Sequence, residues 1–265
     1  MRNSKRKYSS PLVSIIMNCL NGEKYLKSSI KSIFNQSYRN WELIFFDNNS
    51  KDRSQRIIKD IKDRRIRYFK SKKVLSLYKA RNLAISKASG KYISFLDVDD
   101  WWTRDKLKKQ VDTIEKNKDF NLVYSNLFIH NNKTKKNYIY IKKPFQNGFI
   151  TQNLLNDYKL PILTVLIKRE IFKIKKFNKI YNIIGDFDFF INLSLKEKFF
   201  YIHKPLAYYR KHETNYSKKI NIYVKELDNW QKINLNKYKN LNFSLKRFKY
   251  WFYKLKIKKL VGWGL

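Results

Sequence analysis

Three apolar runs end abruptly in polar residues, and a segment of helical period follows each: "LVSIIMN" (12–18), "WELIFFDNNS" (41–50) and "KYISFLDV" (91–98). No other feature constrains this chain as tightly. Strands covered by helices on both faces read as continuous apolar runs, and such strands build parallel sheets. The helical segments between them carry Tyr25, Leu26, Ile30, Ile33 and Phe34, then Ile57, Ile58 and Ile61 behind a capping Asp52, then the period of "LYKARNLAISKA" (77–88) stopped by Gly90. "IRYFKS" (66–71) adds a short strand, and "TRDKLKKQVDTIEKN" (103–117) a helix with Thr103 as its N-cap. This alternation predicts an α/β fold, a doubly wound, mostly parallel sheet over about 120 residues.

In such sheets ligands sit beyond the carboxyl ends of the strands. The polar clusters fall there: Asn18–Asn21 after the first strand, Asp47–Ser50 after the second and Asp97–Asp100 after the fourth. Three strand ends are thus expected to converge on one crevice. Asp97 and Asp99 stand two apart, and in an extended segment such residues point the same way. Two carboxylates on one side suit Mg²⁺ or Mn²⁺, which take oxygen ligands and keep room for substrate phosphates. The plainer reading is that Asp99 and Asp100 precede and cap the next helix. Their place at the end of a buried strand favours the cation.

After residue 120 the rhythm loosens. "NLVYSNLFIH" (121–130) and "YIYIKK" (138–143) read as a strand pair, and "ILTVLIKREIF" (162–172) as a strand entering a helix. "DFDFFINLSLKE" (186–197) has helical spacing led by two acids, and "FFYIHKPLAYYRKH" (199–212) is extended. An acid at a helix start feels the positive end of that helix, which favours its ionised form. Asp186 therefore reads either as a plain N-cap or as an ionised acid held at the helix start, and Asp188 shares the local acidity.

These stretches resemble the inverting glycosyltransferases of family 2, which have the GT-A fold. "VSIIMNCLNGEKYLKSSIKSIFNQSYRNWELIFFDNNSKD", "KARNLAISKASGKYISFLDVDD" and "IIGDFDFFINLSLK" carry the resemblance. It implies that Asn18 and Asn21 line a nucleotide pocket, that Asp47 and Asn48 hold base and ribose, and that Arg81 sits near base and diphosphate. Asp97 would contact the ribose, and Asp99 would hold a divalent metal, Mn²⁺ or Mg²⁺, on the diphosphate. Asp186 would take the proton of the acceptor hydroxyl, with Asp188 ranked second. In "YRKH", His212 would help bind the metal or diphosphate, with Arg210 alongside, and Trp101 would wall the sugar site or simply pack. Many relatives have two acids where this chain has Asp47-Asn48, and an aromatic where it has Leu20. An Asn accepts hydrogen bonds without charge and Leu20 cannot stack as a ring does, so the base is less sharply specified.

The implied reaction moves a sugar from a nucleotide-diphosphate donor, a UDP-sugar above all, to a glycan or lipid-linked glycan of the bacterial surface. By this reading residues 1–217 form the GT-A domain. Its nucleotide-sugar half spans about 11–120 and its acceptor half 121–217, followed by a basic aromatic helical extension, 218–265. That extension carries 13 Lys+Arg against Glu226 and Asp228. In "SLKRFKYWFYKLKIKKL" (244–260), Leu245, Phe248, Trp251, Phe252 and Leu255 share one helical side. A basic amphipathic helix with aromatics suits an anionic membrane surface, or alternatively packs on the domain and exposes its lysines. The expectation is a cytoplasmic enzyme held peripherally at the inner face of the membrane. No run reaches the roughly 18–20 apolar residues of a membrane span, no signal peptide is visible, and the single Cys19 excludes an internal disulfide framework.

The whole chain has 59 Lys+Arg against 21 Asp+Glu, for a net charge of +38. Charge of that size fits a polyanionic partner, yet no nucleic-acid motif is present, and the expectation is no nucleic-acid partner. A nucleotidyltransferase of similar fold is the other rival, since it uses the same acidic pair. The spacing of "ARN", Gly90, Asp97-Val98-Asp99 and the "GD" pair favours glycosyl transfer.

Overall fold

The computed structural model describes residues 10–215 and 218–261. The basic first nine residues, the two flanking the 217/218 boundary on its N-terminal side and the last four lie outside them. Strands β1 (Val13–Cys19), β2 (Trp41–Asp47), β3 (Ile66–Lys70) and β4 (Tyr92–Phe95) are parallel and lie in the order β3-β2-β1-β4. Strands β5 (Trp101–Trp102), β6 (Leu122–Asn131), β7 (Asn137–Ile139), β8 (Val165–Lys168) and β9 (Phe199–Lys211) continue the same sheet. The order past β4 is β8-β6-β9-β5, with β7 paired to β6. Strand β8 runs antiparallel between β4 and β6, so the sheet is parallel over β1–β4 and mixed beyond them.

The alternation along each strand explains why both faces are covered. In β1, Val13, Ile15, Met17 and Cys19 pack on one face with α1 (Glu23–Phe34), α2 (Ser54–Lys59) and, beyond α3 (Leu77–Ile85), with α4 (Lys106–Lys116). Ile16 lies on the other face, with Ile44 and Phe46 of β2 and with Tyr78, Ala80 and Ala84 of α3. The same face carries α5 (Thr151–Asn156), α6 (Ile171–Ile174) and α7 (Gly185–Ser194), then α8 (Ile220–Asn240) and α9 (Lys246–Leu260).

Two sequence expectations change. Helix α4 starts at Lys106 rather than Thr103, because Trp101 and Trp102 form a short strand against Tyr208 and Ala207 of β9. Strand β4 also stops at Phe95, so Asp97 and Asp99 lie on a turn, closed by the Asp100 N–H donating to the Asp97 carbonyl at 3.2 Å. The period-two argument for that pair does not apply. The N-cap position of α2 is Arg53, not Asp52; from one residue earlier the Asp52 carboxylate accepts from the Ser54 N–H at 3.0 Å and from the Glu23 N–H of α1 at 2.9 Å, tying α2 to α1.

The apolar side of the C-terminal extension faces inward. Leu245, Phe248, Phe252 and Leu255 are buried, and Phe248 stacks 6.0 Å from Phe187 of α7. Helix α8 buries Trp230, Leu227 and Tyr238 in the same core. The side read as a membrane face is therefore a packing face. Among the described residues no helix is long and apolar enough to cross a membrane.

One core residue runs against the apolar pattern. Lys106 is 0% exposed, donates to the Ser94 hydroxyl and to the Val165 carbonyl at 3.3 Å, and sits 3.9 Å over the Trp102 ring. Burial pushes its amine well below the usual lysine range. The ring favours the cation by up to about 2 kcal/mol, whereas a buried charge costs several, so burial wins. Unfolded lysine has a pKa near 10.4. The native state therefore binds fewer protons than the unfolded one, and the cost of Lys106 grows as pH falls below that value. Lys106→Met is expected to raise Tm at pH 7 by roughly 2–4 °C, with the gain over the parent shrinking as thermal melts are taken toward pH 10.

Candidate functional site

The first two strand ends are built mainly by their own loops. Asn21 has φ 55°, its N–H donates to the Ser50 hydroxyl at 3.1 Å, and its side-chain oxygen accepts the Lys51 N–H at 2.8 Å. Asp47 is fully buried, and its two oxygens accept from the Ser50 N–H at 2.7 Å and the Tyr68 hydroxyl at 2.8 Å. The Asn48 amide is paired both ways with the Leu75 backbone, at 2.9 Å each. Asp47 and Asn48 thus hold the 48–50 and 71–75 loops, and their polar atoms are engaged within the fold. Asn18 is different. It is 8% exposed, and neither its amide nitrogen nor its oxygen has a partner among the described residues. Buried polar groups are nearly always hydrogen-bonded, so this pair at the end of β1 invites a ligand.

The turn after β4 gathers the acids. The Arg81 guanidinium, almost fully buried on α3, donates to Asp97 at 2.8 Å. Burial pushes the Asp97 carboxyl up, against the pull of the Arg81 charge. Asp99 faces His212, Oδ2 to Nε2, at 2.9 Å, while Nδ1 of that ring meets the Thr214 hydroxyl at 3.0 Å. Asp100, buried at the back of the turn, accepts the Arg210 N–H at 2.8 Å. Burial, then Asp99 and Asp97, push its carboxyl well above the usual range. Three crowded carboxylates repel, and a cation among them would reverse that repulsion. Among the described residues no group of three or more His, Cys, Asp or Glu is arranged around a metal position. The donor set on offer is the Asp99 carboxylate and the His212 imidazole, which fits a cation that completes its shell with water and substrate phosphates.

Arg210 and Trp101 brace this turn. Arg210 Nε donates to the Asp99 carbonyl at 2.7 Å, and its guanidinium lies 4.5 Å from the Tyr25 ring and 4.4 Å from the Trp101 ring. Trp101 stacks on Tyr208 at 4.8 Å. Trp102 is core, its indole N–H donating to the Leu163 carbonyl at 3.0 Å.

Helix α3 joins the turn to the second acidic cluster. Tyr78 and Arg81 are three apart and so share a face. The Tyr78 hydroxyl lies 3.0 Å from Asp186 Oδ1 and 3.1 Å from the Ile183 carbonyl. Burial pushes the Asp186 carboxyl up, against the pull of Arg81, the Phe187 N–H and the Tyr78 hydroxyl. A Cβ at Gly185 would overlap the Tyr78 ring, which is the physical reason for glycine before Asp186. Asp188 points elsewhere: its Oδ1 accepts from the Trp230 indole at 3.0 Å and the Asn192 amide at 2.9 Å, fastening α8 to α7.

Tyr78, Tyr25 and Glu226 were not singled out from sequence. Tyr78 had a signal, its i, i+3 spacing to Arg81. Glu226 had only its rarity in a basic segment. The Glu226 carboxylate accepts the backbone N–H groups of Asn182 at 2.6 Å, Ile183 at 2.9 Å and Ile184 at 3.1 Å, the chain that leads into α7 and Asp186. Glu226→Gln replaces an acceptor oxygen with an NH₂ facing N–H groups. It is expected to cost about 1–3 kcal/mol in denaturant melts and to lower kcat more than it raises KM.

Comparison with known proteins supplies the family and the fold. The profile of glycosyl transferase family 2 matches residues 14–212. An uncharacterised glycosyltransferase of Haemophilus influenzae is 35% identical over 212 residues, 76% of this chain and 79% of that protein. The Escherichia coli UDP-Glc:alpha-D-GlcNAc-diphosphoundecaprenol beta-1,3-glucosyltransferase WfgD is 36% identical over 160 residues, 60% of each chain. In fold, the Staphylococcus aureus TarS 1–349 structure superposes with a TM-score of 0.65 at 16% identity, over 75% of this chain and 60% of that one. A Pyrobaculum calidifontis mannosyltransferase, solved with GDP-Man and Mn²⁺, gives 0.62 at 15% identity over 83% and 63%. The sheet is thus a GT-A sheet, and with its strand-end acids inside the matched region this chain belongs to glycosyl transferase family 2 and is a glycosyltransferase.

Proposed function

We propose that this enzyme inverts the configuration of a sugar as it moves it from a nucleotide-diphosphate donor to an acceptor hydroxyl. The observation that carries the reading is the single face of α3 on which Tyr78 reaches Asp186 and Arg81 reaches Asp97. One helix thereby couples the donor-side acids to the half-buried carboxylate of Asp186. Asp186 is the base: its carboxylate takes the acceptor proton while that oxygen bonds to the anomeric carbon and the bond to the diphosphate breaks. Asp188 is not chosen, because Trp230 and Asn192 hold it. The Tyr78 hydroxyl, which burial keeps protonated, donates to Asp186 and aims it.

Asp99 and His212 are the residues that would hold Mn²⁺ or Mg²⁺. Such an ion supplies a Lewis acid for the charge on the leaving diphosphate. Asp97, kept in place by Arg81, and Asn18 with its unpartnered amide are assigned to the nucleoside. Asn21, Asp47 and Asn48 shape the loops around it.

A UDP-sugar is the donor class assigned, because the relative WfgD is named for UDP-Glc. The same name gives that enzyme a diphosphoundecaprenol-linked acceptor, and a membrane-borne surface glycan is the acceptor class assigned here, met at the inner face of the membrane. Thermal melts with UDP-sugars and GDP-sugars in Mn²⁺ test the donor, since a ligand that binds the native state raises Tm. Stabilisation by UDP-sugars is expected. Stabilisation by GDP-sugars alone would reassign the base.

A further inference from the structure

With its first apolar side buried, α9 still presents a second one. Tyr250, Tyr253, Ile257 and Leu260, at i, i+3, i+7 and i+10, line up along one helical edge. Tyr250 is 62% exposed, Tyr253 63% and Leu260 84%, with Ile257 and Val261 also in solvent. The inward residues Phe248, Phe252 and Leu255 lie on the opposite side, so this outer stripe is additional to the packing face. Seven of the fifteen residues of α9 are Lys or Arg, none is acidic, and all seven cations are exposed. Lys249 and Lys256 flank the stripe on one side, Arg247, Lys254 and Lys258 on the other.

Tyrosines beside aliphatic residues, bordered on both sides by cations, match a bilayer interface. Phenol rings sit at headgroup depth, aliphatic tips go slightly deeper, and lysines reach anionic phosphates. Within α9 there is no acid, and of the flanking cations Lys256 is paired with Asp228 of α8 at 3.0 Å. An acidic protein would pair with the rest, but tyrosines graded to aliphatic tips between cations fit a layer of anionic headgroups over acyl chains better. Duplex nucleic acid would use the lysines but leave Ile257 and Leu260 idle. We infer that the outer stripe of α9 is a membrane-docking surface for anionic lipid. Each Lys or Arg near such a surface adds to the attraction, and the exposed apolar side chains make it adhesive rather than merely electrostatic.

The placement suits the proposed acceptor, and the inference rests on that reading only for its purpose. Phe248, on the inner side of α9, stacks on Phe187, the chain neighbour of Asp186. Docking the outer side therefore brings the catalytic helix to within about one helix diameter, roughly 10 Å, of the lipid-bound one.

The test uses the full chain, with neither donor nor acceptor, so that its outcome is independent of the transferase reading. Co-sedimentation is measured with vesicles of phosphatidylglycerol and phosphatidylcholine, and with phosphatidylcholine alone. The parent is expected to pellet with the anionic vesicles and not with the neutral ones. The triple variant Tyr250→Ser/Tyr253→Ser/Ile257→Ser, altered only at exposed positions, is expected to lose at least tenfold in affinity while keeping its circular dichroism and Tm. Lys249→Gln/Lys254→Gln is expected to weaken binding and flatten its salt dependence. Equal binding by parent and triple variant would overturn the proposal, leaving charge alone as the cause. A parent that ignores anionic vesicles, or binds duplex DNA in their place, would overturn it too.

Discussion

Asp186→Asn is expected to reduce kcat by about 10²–10⁴-fold, the range of general acid–base catalysis, while leaving donor binding unchanged. The amide keeps the size of the carboxylate and still accepts from the Phe187 N–H and the Tyr78 hydroxyl, which lie at 2.9 and 3.0 Å. Only proton acceptance is removed. Steady-state rates alongside donor titrations separate the two effects, and near-normal turnover would remove Asp186 as the base. The pH profile gives a second check. Burial raises the carboxyl of Asp186, and the base works only when ionised. The acid limb of kcat/KM should therefore lie above the ordinary Asp value of about 3.9, with activity lost as pH falls through it. In Asp186→Asn that limb should disappear from the residual rate.

Asp99→Ala should remove most of the response to Mn²⁺. The change deletes the carboxylate that faces His212 at 2.9 Å, leaving a single imidazole for a cation that prefers oxygen. Lewis-acid stabilisation of a leaving group contributes several kcal/mol, so kcat/KM is expected to fall by about 10²–10³-fold. The Mn²⁺-dependent rise in Tm with UDP-sugar should vanish with it. The fold should survive, because the turn is held through the Asp99 carbonyl by Arg210 and through Asp100, not through the Asp99 side chain. Full Mn²⁺ stabilisation in Asp99→Ala would move the cation elsewhere.

Half of this fold was legible because parallel strands buried on both faces leave a plain mark. β1, β2 and β4 are continuous apolar runs, and the polar residues that end them, Asn18, Asp47 and Asp97, stand out without further information. The antiparallel insertion of β8 was not legible. Its pairing partners β4 and β6 are far from it in sequence, and pairing leaves no local signature. The turn at Asp97–Asp100 was read as strand because "ISFLDVDD" keeps apolar residues past the point where hydrogen bonding stops.

The site divides the same way. The Asp97, Asp99 and Asp186 positions stood out as acids in a basic chain. What their neighbours do depends on tertiary contacts: Asp47 and Asn48 hold loops, and Asp188 holds α8. The C-terminal extension shows the limit most clearly. Its first amphipathic side is real but faces the core, and Glu226 within it braces the segment before Asp186. Two apolar stripes on one helix cannot be assigned inward and outward until the partner surface is known.

Single displacement at an anomeric carbon inverts its configuration, so product stereochemistry decides the mechanism. The enzyme is supplied with an α-linked UDP-sugar, Mn²⁺ and a soluble acceptor glycan, and the new linkage is read by the anomeric signals in NMR. Inversion gives a β linkage formed with release of UDP. An α linkage, or release of pyrophosphate in place of the nucleoside diphosphate, would contradict it.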